Sequence, residues 1–371
     1  MSADINPLLS KTFDSWIKGD DTFKYLLEGD ELLDYYSSLR RVNYNLPESA
    51  YSAKKQHYLS VFSKEGGVFC FSEQEHAAEK IHVLKRFCDA FSHAYKRFLD
   101  LKTAENNALR LSYLLNELKE SINYSKRIMH SYLVSDEYFK KQLNDYFVFY
   151  QPKDIVSGDF YWATTLNNGH FVLVVADSTG HGVPGAIMSI INITALEKSV
   201  ESVDQPKDIF NLTRKQIIER LQKDGSSEGG KDGMDAVILS LNKQRTELTY
   251  STANNPIWVA RRKEAFIVEI IELKTDKMPV GKHEKENCSF NQNVFSLQKG
   301  DIIYCFSDGF ADQFGGSNNK KFKYAPFKKL LSEINPLPMN NQKAALENAF
   351  LEWKGEGEQT DDICVLGIKI Y

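Results

Sequence analysis

Asp159, Asp177, Asp308 and the pair Asp361/Asp362 each fall at the edge of an expected strand, and together they make a carboxylate set able to hold two divalent cations. Oxygen donors without a nearby Cys or His pair favour the hard cations Mg²⁺ or Mn²⁺ over zinc. Two such ions can share a hydroxide that attacks phosphorus in line while neutralising charge on the transferring group. The chemistry these residues point to is metal-dependent hydrolysis. A single aspartate is most often a turn or cap residue. The reading rests on the set and on its placement.

The elements that must position the first two aspartates form a hairpin. Gly158 to Ala163 is aromatic and strand-like, Asn167-Asn168-Gly169 is a turn signal, and Phe171 to Ala176 is a continuous apolar strand. The glycine supplies the positive φ that a short hairpin loop needs. With residue 168 at the centre, Asp159 and Asp177 stand opposite one another, with Cβ atoms about 4.5–5.5 Å apart. Like charges placed so repel, and a cation between them removes the repulsion. A bulge would slip this register by one residue.

The second pair of elements is complementary. Asp301 to Ser307 reads as a buried strand that delivers Asp308 at its C-terminal end. Ile363 to Ile370 reads as another, with Asp361 and Asp362 at its start. Antiparallel neighbours of this kind bring the end of one beside the start of the other, so four strand ends converge.

At Ser157-Gly158-Asp159-Phe160-Tyr161, Asp177-Ser178-Thr179-Gly180-His181-Gly182, Ser307-Asp308-Gly309 and Thr360-Asp361-Asp362, the chain resembles the metal-dependent protein serine/threonine phosphatases, above all their bacterial SpoIIE-like branch. The resemblance runs from about residue 122 to residue 371. It takes in Asp232 to Ala236, Ser251 to Pro256 and Lys277 to Gly281 in family order. It implies an α+β fold, a four-layer αββα sandwich of two packed antiparallel sheets flanked by helices, with a two-metal centre at one end. It also implies that Asp177 bridges two Mn²⁺ or Mg²⁺ ions, that Asp159 binds the second together with the main-chain carbonyl of Ser178, and that Asp308 and Asp361 complete the first. Asp362 stays open as an alternate ligand. Asp177 and Asp308 would act through a water held by the metals, hydrolysing phosphoserine or phosphothreonine with no covalent phosphoenzyme. Relatives of this branch often act on a small anti-anti-sigma-type regulator, so a phosphorylated regulatory protein is the implied partner. The alternative is a signalling scaffold that binds a phosphoprotein without turnover.

Two departures limit the transfer. Where the eukaryotic branch has a histidine two residues after the bridging aspartate, this chain has Thr179, and His181 lies two residues further on. Where that branch has an upstream phosphate-holding arginine, the stretch before Asp159 offers Lys153, which as a lysine is more often a solvated surface residue. Asn318-Asn319-Lys320-Lys321, after the Asp308 motif, is either a basic flap near substrate or a solvated loop.

Bulk properties bound the rest. With 371 residues, a catalytic domain of about 240 leaves room for a smaller N-terminal module. A net charge of −4 and a pI near 6.1, without an arginine-rich run, argue against nucleic acid as a partner. Cys70, Cys88, Cys288, Cys305 and Cys364 show no CxxC spacing and read as reduced thiols of a cytoplasmic protein. Met1 to Ile5 lacks the marks of an export signal, and no stretch approaches 18 apolar residues, so no membrane insertion is expected. Gly180-His181-Gly182 lacks the ending of a P-loop, which argues against nucleotide binding there.

Three regions are expected: a small module over 1–72, a helical linker over 73–145 and the phosphatase-like domain over 146–371. Within the first, Thr22 to Ser38 reads as helical and Tyr58 to Phe71 as a hairpin, the whole resembling the end of a GAF-like sensory domain or else forming a docking or dimerisation module. A capping-box pattern at Ser72 to Glu75 opens a long helix. Leu101, Ala104, Ala108, Leu111, Leu115, Leu118 and Ile122 step by three and four, as in a parallel coiled-coil homodimer stalk. This set is out of phase with Leu84, Cys88, Phe91, Tyr95 and Phe98, which suit a helix packed on its own domain equally well. Such a linker gives the N-terminal region a means of controlling the centre. Further along, Pro184 opens a helix, Gln205 to Asp224 reads as another, Gly225 to Gly230 as a flexible loop, and Met188 and Met234 as packing residues.

Overall fold

The computed structural model describes residues 6–41, 52–222, 232–264 and 267–371. The sequence expectations for Met1 to Ile5 and for the loop Gly225 to Gly230 lie outside them. Two compact units result, residues 1–116 and 117–371.

In the first unit, α1 (Pro7–Lys18) is capped by Asn6, whose side chain accepts the N–H groups of Leu8 and Leu9. Next come β1 (Thr22–Glu28), α2 (Gly29–Arg41), β2 (Lys55–Ser63) and β3 (Gly66–Ser72), forming one antiparallel sheet in the order β1-β2-β3. The hairpin expected around Gly66-Gly67 is present, with Tyr58 opposite Phe71. The expectation of helix from Thr22 to Ser38 needs correcting. Thr22 to Glu28 is a strand paired along its length with Val61 to Lys55, and the helix begins at Gly29. The apolar residues of Thr22 to Leu27 fit either period, and tertiary pairing decides between them. Helix α3 (Ala78–Tyr132) also begins later than its cap pattern suggests. Ser72 Oγ instead accepts the N–H of Gln74 in the turn before it. Within this unit Ile81, Leu84 and Cys88 pack on Leu59, Val61 and Val68.

In the second unit α4 (Asp136–Gln142) leads into β4 (Tyr146–Gln151), β5 (Asp159–Thr165), β6 (Phe171–Ser178), α5 (Gly182–Val200) and α6 (Pro206–Leu221). The chain continues through β7 (Gly233–Leu241), β8 (Glu247–Ala253), β9 (Ile257–Glu264), β10 (Ile267–Glu272), β11 (Val280–Gly281), β12 (Asn293–Ser296) and β13 (Ile302–Phe306). It ends with α7 (Gly309–Asp312), β14 (Phe314–Gly315), β15 (Lys320–Lys321), α8 (Tyr324–Ile334), α9 (Met339–Lys354) and β16 (Ile363–Lys369).

The strands make one sheet in the order β12-β8-β7-β6-β5 and another in the order β10-β9-β13-β16-β4, all neighbours antiparallel. Alternation along each strand sorts side chains between two layers. On β6, Phe171, Leu173 and Val175 join Leu239, Val259, Cys305 and Leu366 between the sheets. Val172, Val174 and Ala176 face Ile193, Ile209 and Phe210 of α5 and α6. Trp258, Tyr304 and Val365 of the other sheet pack on Phe327 and Leu331 of α8 and Phe350 of α9. The result is the expected four-layer αββα sandwich. Met188 and Met234 are buried, in keeping with packing roles. Among the described residues no helix is long and apolar enough to cross a membrane.

Leu239 is fully buried between the sheets. Leu239→Ala is expected to cost about 2–5 kcal/mol through lost burial and a residual cavity, measured as a lower denaturant midpoint for the 117–371 unit.

Candidate metal centre

The alternation that builds the inter-sheet core also aims the carboxylates. Residues 171, 173 and 175 of β6 face the opposite sheet, and the next residue on that face is Asp177. Across the hairpin, Asp159 is the register partner of Asp177, and Thr165 that of Phe171, so the register expected from the turn is the observed one. Gly169 closes the turn with φ +83°. On its other side Asp177 stands opposite Asp235 of β7, giving three carboxylates in a row across three strands. Asp235 did not emerge as a site residue from the sequence. Its signal was the segment Asp232 to Ala236 at the start of a strand, but the strand that pairs it with Asp177 lies more than fifty residues away.

The opposing sheet supplies the remainder. β13 and β16 are antiparallel neighbours with Phe306 opposite Val365, so Ser307-Asp308 lies beside Asp361-Asp362, as their spacing suggested. The hydroxyl of Ser307 donates to Asp159 Oδ2 and accepts the N–H of Cys364, tying the two sheets together at the centre. Asp362 is buried and held by the backbone, because its two carboxylate oxygens each accept an N–H group, from Lys153 (2.8 Å) and Gly158 (2.7 Å). Asp361 accepts the N–H of Asp362 at one oxygen, leaving the other free of that contact.

Close backbone approach explains two of the glycine sites. A Cβ on Gly158 would lie 2.2 Å from the carbonyl oxygen of Gly180, and one on Gly309 1.9 Å from that of Asp362. The loops carrying Asp159, Asp177 and Asp308 therefore pack at distances only glycine allows.

Electrostatics show what this geometry lacks. Burial, then the charge of Asp177, raises the proton affinity of Asp159. Burial, then Asp308 and Asp361, does the same for Asp177. Asp235 is raised by burial and partly relieved by a hydrogen bond from Asn254 Nδ2 (2.8 Å) and by the charge of Lys277. Asp308 is pushed up to about 6 by burial and by Asp312, Asp361 and Asp235, with Lys321 opposing. The side chains of Asp177 and Asp308 accept no hydrogen bond from any described residue. Desolvated carboxylates whose neighbouring charges are mostly negative are a donor set that fits hard divalent cations. Among the described residues no three His, Cys, Asp or Glu side chains are already gathered into a metal cage. The carboxylates are aligned by register and coupled through their charges rather than closed around a point.

Other residues singled out by sequence fall outside this set. The Thr179 hydroxyl accepts the N–H of Gly233 and lies 3.3 Å from its carbonyl, so it pins backbone. His181 precedes α5 and pairs with Asp154 at 3.0 Å, both exposed. The Ser178 hydroxyl is engaged with Ser189 and Asn192. Lys153 is exposed, and its backbone N–H rather than its ammonium is engaged with the centre.

The family model described as Stage II sporulation protein E (SpoIIE) matches residues 167–371. Among solved structures, the SiaA-PP2C domain of Pseudomonas aeruginosa is similar with a TM-score of 0.60 and 25% identity, over 69% of this chain and 98% of that one. The RsbU and RsbW domains of Rv1364c from Mycobacterium tuberculosis follow at TM-score 0.48 and 22% identity, over 61% of this chain and 59% of theirs. The PP2C phosphatase domain of SpoIIE from Bacillus subtilis, solved with a fragment of its regulatory domain, gives 0.46 and 18%, over 61% and 63%. No curated protein matches the chain.

The raised carboxylates have a consequence for stability without metal. The folded state holds protons that the unfolded chain releases near pH 4, so this contribution is full below that pH and is lost as pH rises through about 6 for Asp308. Asp177→Asn is therefore expected to stabilise the metal-free chain by on the order of 1–2 kcal/mol at pH 7.5. Thermal melts from pH 4.5 to 8 in chelator should show that gain shrinking toward acid.

Proposed function

Because the chain belongs to the SpoIIE family of PP2C-type phosphatase domains, we propose that it is a metal-dependent protein serine/threonine phosphatase acting on a phosphorylated regulatory protein. The observation that carries the reading is the facing pair Asp159/Asp177, brought against Ser307-Asp308 and Asp361 of the opposite sheet. The similarity to the SiaA-PP2C domain supports the same fold.

Asp177, Asp159 and the Ser178 carbonyl would hold one Mn²⁺ or Mg²⁺, and Asp177 with Asp308 and Asp361 a second. Asp361 is favoured over Asp362, whose oxygens are taken by backbone N–H groups. When bound, the two cations supply an activated water and neutralise charge on the phosphoryl group. The chain's own contribution is orientation. Ser307 fixes one oxygen of Asp159, Tyr150 donates to the Asp159 carbonyl at 3.1 Å, and Asp362 clamps the 153–158 loop. The partner class, a small anti-anti-sigma-type phosphoprotein, follows from the family alone.

Regulation has a physical route within the 117–371 unit. Ile122 and Met129 of α3 pack on Val156, in the loop before Asp159, and on Ala186 of α5. A shift of the helix would move both loops that carry metal-binding groups. The exposed Leu101, Leu111, Leu115 and Leu118 of α3 suit burial against the same helix of a second copy.

Phosphate release from a phosphoserine peptide is expected to require Mn²⁺ or Mg²⁺, to stop with chelator, and to fall by about 100-fold or more in Asp177→Asn and Asp308→Asn. Peptide binding without release would instead identify a scaffold. Deleting residues 1–120 should change activity or metal affinity, and identical values would end the regulatory reading. Sedimentation velocity should show a dimer that Leu111→Glu with Leu115→Glu converts to monomer. A wild type that stays monomeric at all concentrations contradicts the stalk.

A further inference from the structure

The centre is rich in negative charge, and a phosphoryl group approaching it needs donors that the region before Asp159 does not provide. The segment after Asp308 does. Helix α7 follows Asp308 directly, with the N–H of Asp312 donating to the Asp308 carbonyl at 2.9 Å. β14 and β15 then fold back as a tight hairpin, Phe314 opposite Lys321. The hairpin is anchored from several sides. Phe322 N–H donates to the Gln313 carbonyl at 2.9 Å, Lys323 N–H to that of Ala311 at 2.6 Å, and Gly316 N–H to that of Trp353 at 2.8 Å. A Cβ on Gly315 would lie 1.8 Å from the Trp353 carbonyl oxygen. This basic segment is therefore anchored at its base, while Asn318 to Lys321 at its tip are exposed to solvent.

Its geometry brings one cation to the helix that follows Asp308. Lys321 Nζ meets Asp312 Oδ2 at 2.6 Å, with both side chains part-exposed. Asp308 and Lys321 also feel one another's charge. Three residues later, Tyr324 sets its ring against Phe306 and Trp258, with centroids 6.2 and 5.9 Å apart. Phe306 is two residues before Asp308, so the phenol is carried to the same edge. There partial burial and the charges of Asp308, Asp312, Asp177 and Asp235 push its pKa up to about 12, the residue remaining 38% exposed. Among the described residues its hydroxyl donates to no acceptor. An ammonium on a flexible stem and a neutral O–H donor beside the same carboxylates are a pair suited to the oxygens of a phosphoryl group.

We infer that Lys321 and Tyr324 grip the substrate phosphate, both donating to its non-bridging oxygens, and that Asp312 holds the ammonium in place until a phosphoryl group offers it more acceptors. This deepens the phosphatase reading and rests on it. The two residues take the place of the upstream arginine this sequence lacks.

The test uses the full chain with Mn²⁺. Calorimetry with inorganic phosphate and steady-state release from a phosphoserine peptide are compared for wild type, Lys321→Met, Lys321→Arg and Tyr324→Phe. Lys321→Met is expected to weaken phosphate binding and raise KM by about tenfold, with kcat within about threefold, because a contact made alike in ground and transition state acts on KM. Lys321→Arg should restore both to within about threefold, which separates charge from any structural damage, and Tyr324→Phe should weaken binding by about three- to fivefold. Phosphate binding by Lys321→Met within twofold of wild type, or no binding by the wild type, overturns the inference. A wild type that binds phosphate through Lys321 but releases none from the peptide contradicts the phosphatase reading and leaves the grip intact.

Discussion

Like charges held face to face at the end of a β-sandwich are the constraint on which this structure turns. Asp159, Asp177 and Asp235 occupy one register line across three strands, on the face that a few residues along each strand is the apolar core. Two unit charges about 5 Å apart repel by about 3 kcal/mol at an effective dielectric of 20. None of the three can turn away, because a one-residue slip would send every core residue of its strand to the wrong layer. The hairpin register, the backbone contacts at Gly158 and Gly309 and the Ser307 bridge between sheets keep the repulsion in place. Holding carboxylates in this way is useful chiefly for binding cations, because a site shaped before binding loses little freedom when the ion arrives.

Much of this could be read from the residues alone, for identifiable reasons. A short symmetric turn at Asn167-Asn168-Gly169 carries its register with it, so the Asp159/Asp177 pair followed from local spacing. The strands ending at Asp308 and beginning at Asp361 followed from apolar runs with sharp polar ends. What was missed depends on distant partners. Asp235 is placed by pairing across more than fifty residues, and the ambiguity between Asp361 and Asp362 turns on the N–H groups of Lys153 and Gly158. Thr22 to Glu28 is a strand because β2 pairs with it, which its own composition does not reveal.

The same dependence links the centre to helix α3. Val156 lies between the Asp362 clamp at Lys153 and the Asp159 carboxylate, and it is packed with Met129 of α3. A loop whose position is set jointly by a buried carboxylate and by one helix face responds to that helix as a unit. The basic hairpin after Asp308 is anchored separately, through Trp353 and Gln313, so the hairpin and the carboxylate centre rest on different supports.

The most direct measurement is calorimetric titration of Mn²⁺ into the metal-free full chain, in buffers of differing ionisation enthalpy at pH 6 and pH 8. Carboxylates raised by burial and by one another must lose protons as the ion binds, so the account predicts saturable binding with protons released at pH 6 and far fewer at pH 8. It also predicts that Asp177→Asn abolishes the binding. No saturable heat at millimolar Mn²⁺, or binding unchanged by Asp177→Asn, would contradict it.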